Sequence, residues 1–337
     1  AIKNGQARVS TGAVDDPSGY STGKAGFEFT AEEGAQLKER SSLEDNPNFD
    51  PEAVSHQDFV ANFTDKNQQV PGTDIPIQNH DNPLGIDVHY ETYNWNFNFA
   101  NFFVVLDFKI TNTSDQTLDS FYTGYWMDGV VRNTNITPPG GAAFFNKGGN
   151  GYDDSIYTAY EFDAAGDTAY TKSYIGLKYL GAERNGEFYH PEVNDQVKVH
   201  FSTWQFQNSS DHLYFFPSND GAKYNKMSLG LNQNEDLDWN TISEEIERPS
   251  NRSNLISVGS FGKLEPGESV NVAFAVVLGK MKETGNSVQA NTAAQRSILR
   301  QNADWAQRSF NGEDQNFNGK LDPGEDSDGD GEIDRYI

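Results

Sequence analysis

Near the end of the chain, Asp314 to Glu325 reads Asp-Gln-Asn-Phe-Asn-Gly-Lys-Leu-Asp-Pro-Gly-Glu. This satisfies the calcium-loop pattern D-x-[DN]-x-[DN]-G-x5-E at each constrained position. Ca2+ takes about six to eight hard oxygen ligands, so the side chains that hold it must converge on one cavity. Asp314, Asn316 and Asn318 stand at loop positions one, three and five, and converge only if the backbone turns sharply at Gly319. Lys320 offers its carbonyl at position seven, and Asp322 a direct or water-bridged oxygen at position nine. Glu325 closes the site with two oxygens.

A second loop follows without a spacer. Asp326, Asp328, Asp330 and Gly331 repeat positions one, three, five and six, Glu332 stands at position seven and Asp334 at position nine. Its twelfth position is Ile337, which has no ligand oxygen in its side chain, so the second site is expected to be weaker or completed by a neighbour. Two abutting loops leave no room for the paired helices of a regulatory EF-hand. The pattern resembles the acidic calcium repeats of secreted proteins, the dockerin and thrombospondin type 3 kind. The competing reading is a solvated acidic tail, which would not need Gly319 and Glu325 at those spacings.

The elements that must position these loops are strands. The chain has 337 residues, enough for one large or two ordinary domains with a proper core. With 23 Phe, 15 Tyr and 5 Trp against 31 Gly and 13 Pro, the balance favours many short strands joined by turns. We expect a mainly β fold, an antiparallel β-sandwich, one large or two fused, with one C-terminal helix and a calcium-loop tail. The net charge of −25 argues against nucleic acid and anionic lipid as partners, and makes divalent cations the natural counterions. Without Cys there is no disulfide, no thiolate chemistry and no cysteine-ligated zinc. No stretch approaches the ~20 apolar residues of a membrane span. No signal peptide precedes Ala1, so an exported chain would already be processed.

Residues 1–80 are polar and irregular, with turn clusters at Asp15-Asp16-Pro17 and Asp45-Asn46-Pro47, and are expected to pack on a larger body as a strand or two and a few helical turns. Residues 81–282 carry the sandwich. Phe102 to Thr111 alternates, with Leu106, Phe108 and Ile110 inward, and Leu118 to Met127 is expected to return as its partner strand. Further strands are expected at Ile156–Phe162, Tyr174–Leu180, Val197–Phe206 and Leu255–Phe261. Val270, Val272, Phe274, Val276 and Leu278 give the cleanest alternation, after a turn at Pro266-Gly267. Within 283–310 a helix is expected from Ser287 to Phe310, with Ala294, Ile298, Trp305 and Ala306 on its apolar face. Residues 311–337 hold the tandem loops.

Pro83-Leu84-Gly85, the Phe103 to Asn112 strand running into Thr111-Asn112-Thr113-Ser114, Gly124 to Asp128, Tyr174 to Gly181, and Leu264 to Gly279 together resemble a family of poorly characterised multidomain exported proteins of Gram-negative bacteria. The terminal Asn-Gly-x-Leu-Asp-Pro-Gly-Glu-Asp and Asp-Gly-Asp-Gly runs share that resemblance. It implies export to the cell surface or beyond, with immunoglobulin-like and sorting domains commonly following this module. Its motifs are structural, and it brings no catalytic residue.

Catalytic signals are sparse. His56, His80, His89, His190, His200 and His212 begin no His-Glu-x-x-His motif. Gly19-Tyr20-Ser21-Thr22-Gly23 matches the serine hydrolase elbow but lies in a polar loop instead of between a strand and a helix. Lys24 lacks the glycine spacing of a phosphate loop. Asp153-Asp154 reads as a solvated turn, an ion site or half of a glycosidase pair, and His89 with Glu91 as a surface pair or a metal pair. Trp95, Tyr122, Tyr125, Trp126 and Trp204 could stack on sugar rings or simply fill the core. The chain is therefore expected to be a non-enzymatic, calcium-stabilised structural or adhesive protein of a bacterial surface or appendage. Its expected partners are itself, other surface proteins or polysaccharide. A carbohydrate-binding module is the alternative, and a glycosidase a more distant one.

Overall fold

The computed structural model describes residues 1–12, 17–31, 35–164, 171–193, 196–205, 213–282, 291–316 and 318–334. Asp15, Asp16, Phe206, His212, Ser287 to Ala290 and Ile337 lie outside the described residues. The strands in chain order are β1 Ile2–Lys3, β2 Gln6–Ala7, β3 Lys38–Arg40, β4 Gln57–Thr64, β5 Ile86–Asn94, β6 Phe103–Asn112 and β7 Tyr122–Met127. They continue with β8 Gly148–Asp153, β9 Thr158–Asp163, β10 Ser173–Arg184, β11 Glu187–Tyr189, β12 Lys198–Gln205, β13 Arg252–Gly259 and β14 Ser269–Lys280. The helices are α1 Ala142–Phe145, α2 Asp220–Ser228, α3 Trp239–Ile246 and α4 Ser297–Asn311.

Among the described residues the named strands pair antiparallel and build a mainly β sandwich. One sheet has nine strands in the order β3-β4-β5-β6-β14-β10-β9-β8, with β11 on β10. A three-stranded sheet, β12-β13-β7, covers part of one face, and α4 lies on the other. The core therefore divides in two. Val270, Val272 and Phe274 of β14 meet Phe201, Ile256 and Val258 of the smaller sheet, while Ala273, Ala275 and Val277 meet Leu299, Ala303 and Ala306 of α4. Residues 1–80 supply β3 and β4, which pair through β5 into the large sheet.

Both faces of β14 are covered, so its alternation does not separate core from solvent. Val277 is fully buried under α4 while Leu278, on the set expected inward, is 46% exposed. A strand at the centre of three layers has no polar face, and simple alternation understates its burial.

Two expectations need correction. Leu118 to Met127 does not return beside β6, because β7 pairs with β13 in the smaller sheet and β6 lies between β5 and β14. The chain leaves β6 at Asn112, whose amide donates to Gln116 O and Leu264 O, and then runs beside the β13–β14 connection. There Leu118 bonds Leu264, and Phe121 bonds Gly262 and Phe261. The segment is a corner between sheets, not a hairpin. The helix also starts later than expected, at Ser297. Ala294 is exposed in a turn closed by the bond from Gln295 N to Thr292 Oγ1. The buried stripe of α4 is Leu299, Ala303 and Ala306, with Ile298 and Trp305 half-buried at its flanks. Small side chains face the sheet because the backbones approach closely there.

Gly279 marks that approach. A Cβ on it would stand 2.6 Å from Leu299 Cα and 2.7 Å from Leu299 N, so an added methyl meets helix backbone that cannot rotate away. Gly279→Ala should lower unfolding free energy by about 1–3 kcal/mol, the usual cost of overpacking. Denaturant titration measures it, and an unchanged midpoint would contradict this close packing.

Burial lowers the pKa of His190 to about 3, helped by Lys178, and that of His200 to about 4, helped by Lys198. The unfolded chain protonates these groups near ~6.5, so protons favour unfolding. Their contribution is intact above pH ~6.5 and falls on acidification by on the order of 3 kcal/mol each near pH ~4. Unfolding free energy plotted against pH should be shallower over that window in His200→Gln than in the parent. Equal slopes would refute the assignment.

Candidate metal centre

Helix α4 delivers the chain directly into the acidic loops. Gln307 Nε2 donates to Leu180 O of β10 at 2.7 Å and to Asn311 Oδ1 at 2.9 Å, and Asn311 Nδ2 donates to Gln315 O at 3.2 Å. This amide relay fixes the start of the first loop against the sheet. Gly319 sits at φ +74, and a Cβ there would stand 3.0 Å from the Phe188 ring, so the loop's turn rests on β11.

Within the first loop, Asp314 is fully buried and accepts from Asn318 N and Gly319 N, each at 2.9 Å. Asn316 Oδ1 accepts from Asn318 N, and Asn318 Oδ1 from Lys320 N. The amides of Asn316 and Asn318 both donate to Asp322 Oδ2, at 2.7 and 2.8 Å, and these bonds hold the Asp322 pKa down. Positions one, three, five and nine are thus held by one compact network. Glu325 Oε1 accepts from Gln315 N at 3.0 Å and Oε2 from Asp322 N at 2.8 Å.

The second loop repeats the construction with a substitute. Asp328 Oδ1 accepts from Asp330 N and Asp330 Oδ1 from Glu332 N, as at positions three and five of the first loop. Asp326 Oδ1 accepts from Gly329 N. Gly331 adopts φ +81, matching Gly319. The closing role at position twelve is taken by Glu313, the residue before the first loop. Its Oε1 accepts from Ser327 N at 2.7 Å and its Oε2 from Asp334 N at 3.1 Å, while its own N–H donates to Asp334 O at 2.9 Å. Glu325 makes the same three bonds twelve residues earlier in register, to Gln315 N, Asp322 N and Asp322 O. Glu313 is 3% exposed, and carboxylate oxygens of Glu313, Asp326 and Asp328 lie within 4.8 Å of one another.

Glu313 was outside the sequence motif because the pattern looks forward from Asp326 to position twelve. The signal that finds it is the Glu-Asp pair at 313–314 repeated at 325–326. Glu313 and Glu325 are buried carboxylates bonded by N–H and hydroxyl donors, with no cationic side chain paired to either among the described residues. The Glu313 pKa is held down by the Ser327 hydroxyl and N–H and by Asp334 N, whereas burial and the surrounding Asp328 and Glu313 raise that of Asp334. A set of hard oxygens with uncompensated negative charge fits a divalent cation of the Ca2+ type.

The other sequence candidates separate. Gly19 to Thr22 lies in a 3-10 turn, Pro17–Thr22. Asp153 is bonded by Ser155 and lies 3.5 Å from Arg300 of α4. His89 and Glu91 do meet at 2.8 Å, but Glu91 is also held by Arg40, which lies 3.5 Å from Asp58. Of the aromatic residues, Tyr125 packs between Phe108 and Phe274. Tyr122, Trp126 and Trp204 line a cleft of about 1500 Å³ beside β7. Trp95 stands apart in a second cleft of about 930 Å³ with Phe97, Phe99, Trp305 and Asn316.

If Glu313 closes the second loop, Glu313→Gln should lower calcium affinity there by about 10-fold or more while sparing the first loop, as a neutral amide supplies one oxygen instead of two. Calorimetric titration of parent and variant resolves the two steps. Loss of the first step alone would refute the assignment.

No family model matches the chain, and no curated protein does. Among solved structures, the heparan sulfate lyase HepC from Pedobacter heparinus matches with a TM-score of 0.27 and 9% identity over 68% of this chain and 21% of that one. A heparinase III gives a TM-score of 0.27 and 8% identity over 66% of this chain and 20% of its own. The chain thus spans about a fifth of the length of these lyases.

Proposed function

We propose that this chain is a non-enzymatic, calcium-stabilised β-sandwich module of a bacterial surface or secreted protein, structural or adhesive in role. The observation that carries the reading is the matched bonding of the tandem loops, in which Glu325 makes to the first the three bonds that Glu313 makes to the second. Asp314, Asn316, Asn318, Asp322 and Glu325 would hold one ion, with the Lys320 carbonyl. Glu313, Asp326, Asp328, Asp330 and Asp334 would hold the other, with the Glu332 carbonyl. Bound Ca2+ supplies the positive charge that lets these oxygens converge.

Between Asn311 and Ile337 nine acids face two bases, so the metal-free tail is self-repelling. Ion binding makes it a stiff continuation of α4. Phe97 and Phe99, which line a cleft together with Gln315 and Asn316 of the first loop, are each more than 40% exposed, which supports a contact surface whose shape depends on the ordered tail. Extracellular calcium modules bind at roughly 10⁻⁴ to 10⁻³ M, so the ion would be permanent structure and not a switch.

Calcium titration should register two ions per chain and raise the unfolding temperature. At a free concentration about 100 times Kd the added stability is about 2.7 kcal/mol, reversed by chelator. A thermal transition indifferent to both Ca2+ and chelator would sink the reading. Light scattering in the same titration shows whether ion-ordered chains associate with one another.

A further inference from the structure

Trp126 of β7 and Trp204 of β12 stand on the same face of the three-stranded sheet, with β13 between them. Trp126 is in register with Leu255 and Trp204 with Ser253, two residues apart on β13. Strand spacing places the two residues about 10 Å apart across the sheet. That face looks away from the main core and towards α2, where Ser202 and Ser257 donate to Lys226 O and Met227 O. Both indoles line the cleft of about 1500 Å³.

Three donors buried there lack an acceptor. Trp126 Nε1 and Trp204 Nε1 are both buried with no hydrogen-bond partner among the described residues, although Trp204 is only 6% exposed. Arg8 Nε, in the same lining, is likewise unsatisfied, while its Nη1 lies 3.6 Å from Asp220. Lys226 Nζ lies 5.8 Å from the centre of the Trp204 ring and donates to Leu213 O at 2.9 Å. It has no carboxylate partner among the described residues, and burial lowers its pKa to about 8. Buried donors normally have partners, so the three unsatisfied ones, Trp126 Nε1, Trp204 Nε1 and Arg8 Nε, with the Lys226 ammonium beside them, describe the complement of a missing ligand.

We propose that this cleft binds an uncharged oligosaccharide. Such a ligand presents apolar C–H faces to the aromatic rings and hydroxyl and ring oxygens to the indole, guanidinium and ammonium donors. A peptide strand brings as many N–H donors as carbonyls, whereas the unsatisfied buried atoms of this lining, Trp126 Nε1, Trp204 Nε1 and Arg8 Nε, are all donors. A polyanionic glycan would meet the field of a chain carrying a net charge of −25. Among the described lining residues Asp220, already paired with Arg8, is the one carboxylate, so they include no pair of acids for hydrolysis. Trp95, in the other cleft, takes no part.

The full chain, calcium-loaded, is titrated with short neutral glucan, mannan and xylan oligosaccharides and with uronic acid oligomers, following tryptophan fluorescence and retention in polysaccharide gels. A neutral class should bind. Trp126→Phe keeps the ring and loses the N–H, and should weaken binding by about 10-fold, the worth of one hydrogen bond. Trp204→Phe should do the same, and Trp95→Phe should change nothing. Trp126 is half-buried, so its variant keeps the test alive if Trp204→Phe fails to fold. Binding by none of the neutral glycans, binding of uronic oligomers alone, shortening of the oligosaccharide, or parental affinity in Trp126→Phe would each overturn the proposal.

Discussion

The close approach of α4 to the large sheet is the contact on which the rest of the molecule depends. Ala273, Ala275 and Gly279 on β14 leave a shallow bed, and Leu299, Ala303 and Ala306 fill it. Bulkier residues in either row would push the helix out. The amide relay from Leu180 O through Gln307 and Asn311 to Gln315 O would then lose its reach, because hydrogen bonds tolerate only a few tenths of an ångström. The helix therefore does two jobs with one geometry. It seals the second half of the core, and it sets where the acidic loops begin.

From that anchor the loops build each other. The first loop contains the glutamate that folds back on it, Glu325, whereas the second, which follows directly, takes Glu313 from ahead of the first. Glu325, which ends the first loop, immediately precedes Asp326, just as Glu313 precedes Asp314. The shared Glu-Asp pair lets the glutamate reach one loop while the aspartate opens the other. Neither loop is complete without the residue that borders its neighbour. The two sites should accordingly order together, since placing Glu313 for the second loop also places Asp314 at the head of the first.

Much of this was legible in the sequence because local pattern and final structure agree there. The strands at β6, β9, β10, β12, β13 and β14 carry apolar alternation or apolar runs that only a sheet can bury, and the loop motif is set by side-chain spacing alone. What failed depended on distant partners. Leu118 to Met127 has the composition of a strand, but nothing local says whether it turns back on β6 or crosses to β13; the decision lies in bonds from Asn112 and Leu118 to Leu264, about 150 residues away. The start of α4 was misplaced because Ala294 fits a helical stripe on paper, while the stripe that packs is chosen by the small residues of β14. Glu313 was missed for the same reason in miniature: its partners, Ser327 and Asp334, lie 14 and 21 residues ahead, beyond a motif that reads one loop at a time.

The loops also connect to the central strand by a second route. Gly319 leans on Phe188 of β11, next to Tyr189, whose ring packs on Phe261 and whose carbonyl accepts from the Tyr179 hydroxyl. Tyr179 is fully buried and packs against Phe274 of β14. A loop held rigid by an ion would press on a hairpin whose other side is the main core, while a self-repelling loop would leave Phe188 uncovered. Stability gained at the tail would then be shared with the sandwich, because the contact runs through buried aromatic rings in a close-packed interior. The acidic terminus is thus tied to the sandwich at two separate places, the amide relay from Leu180 O and the approach of Gly319 to Phe188.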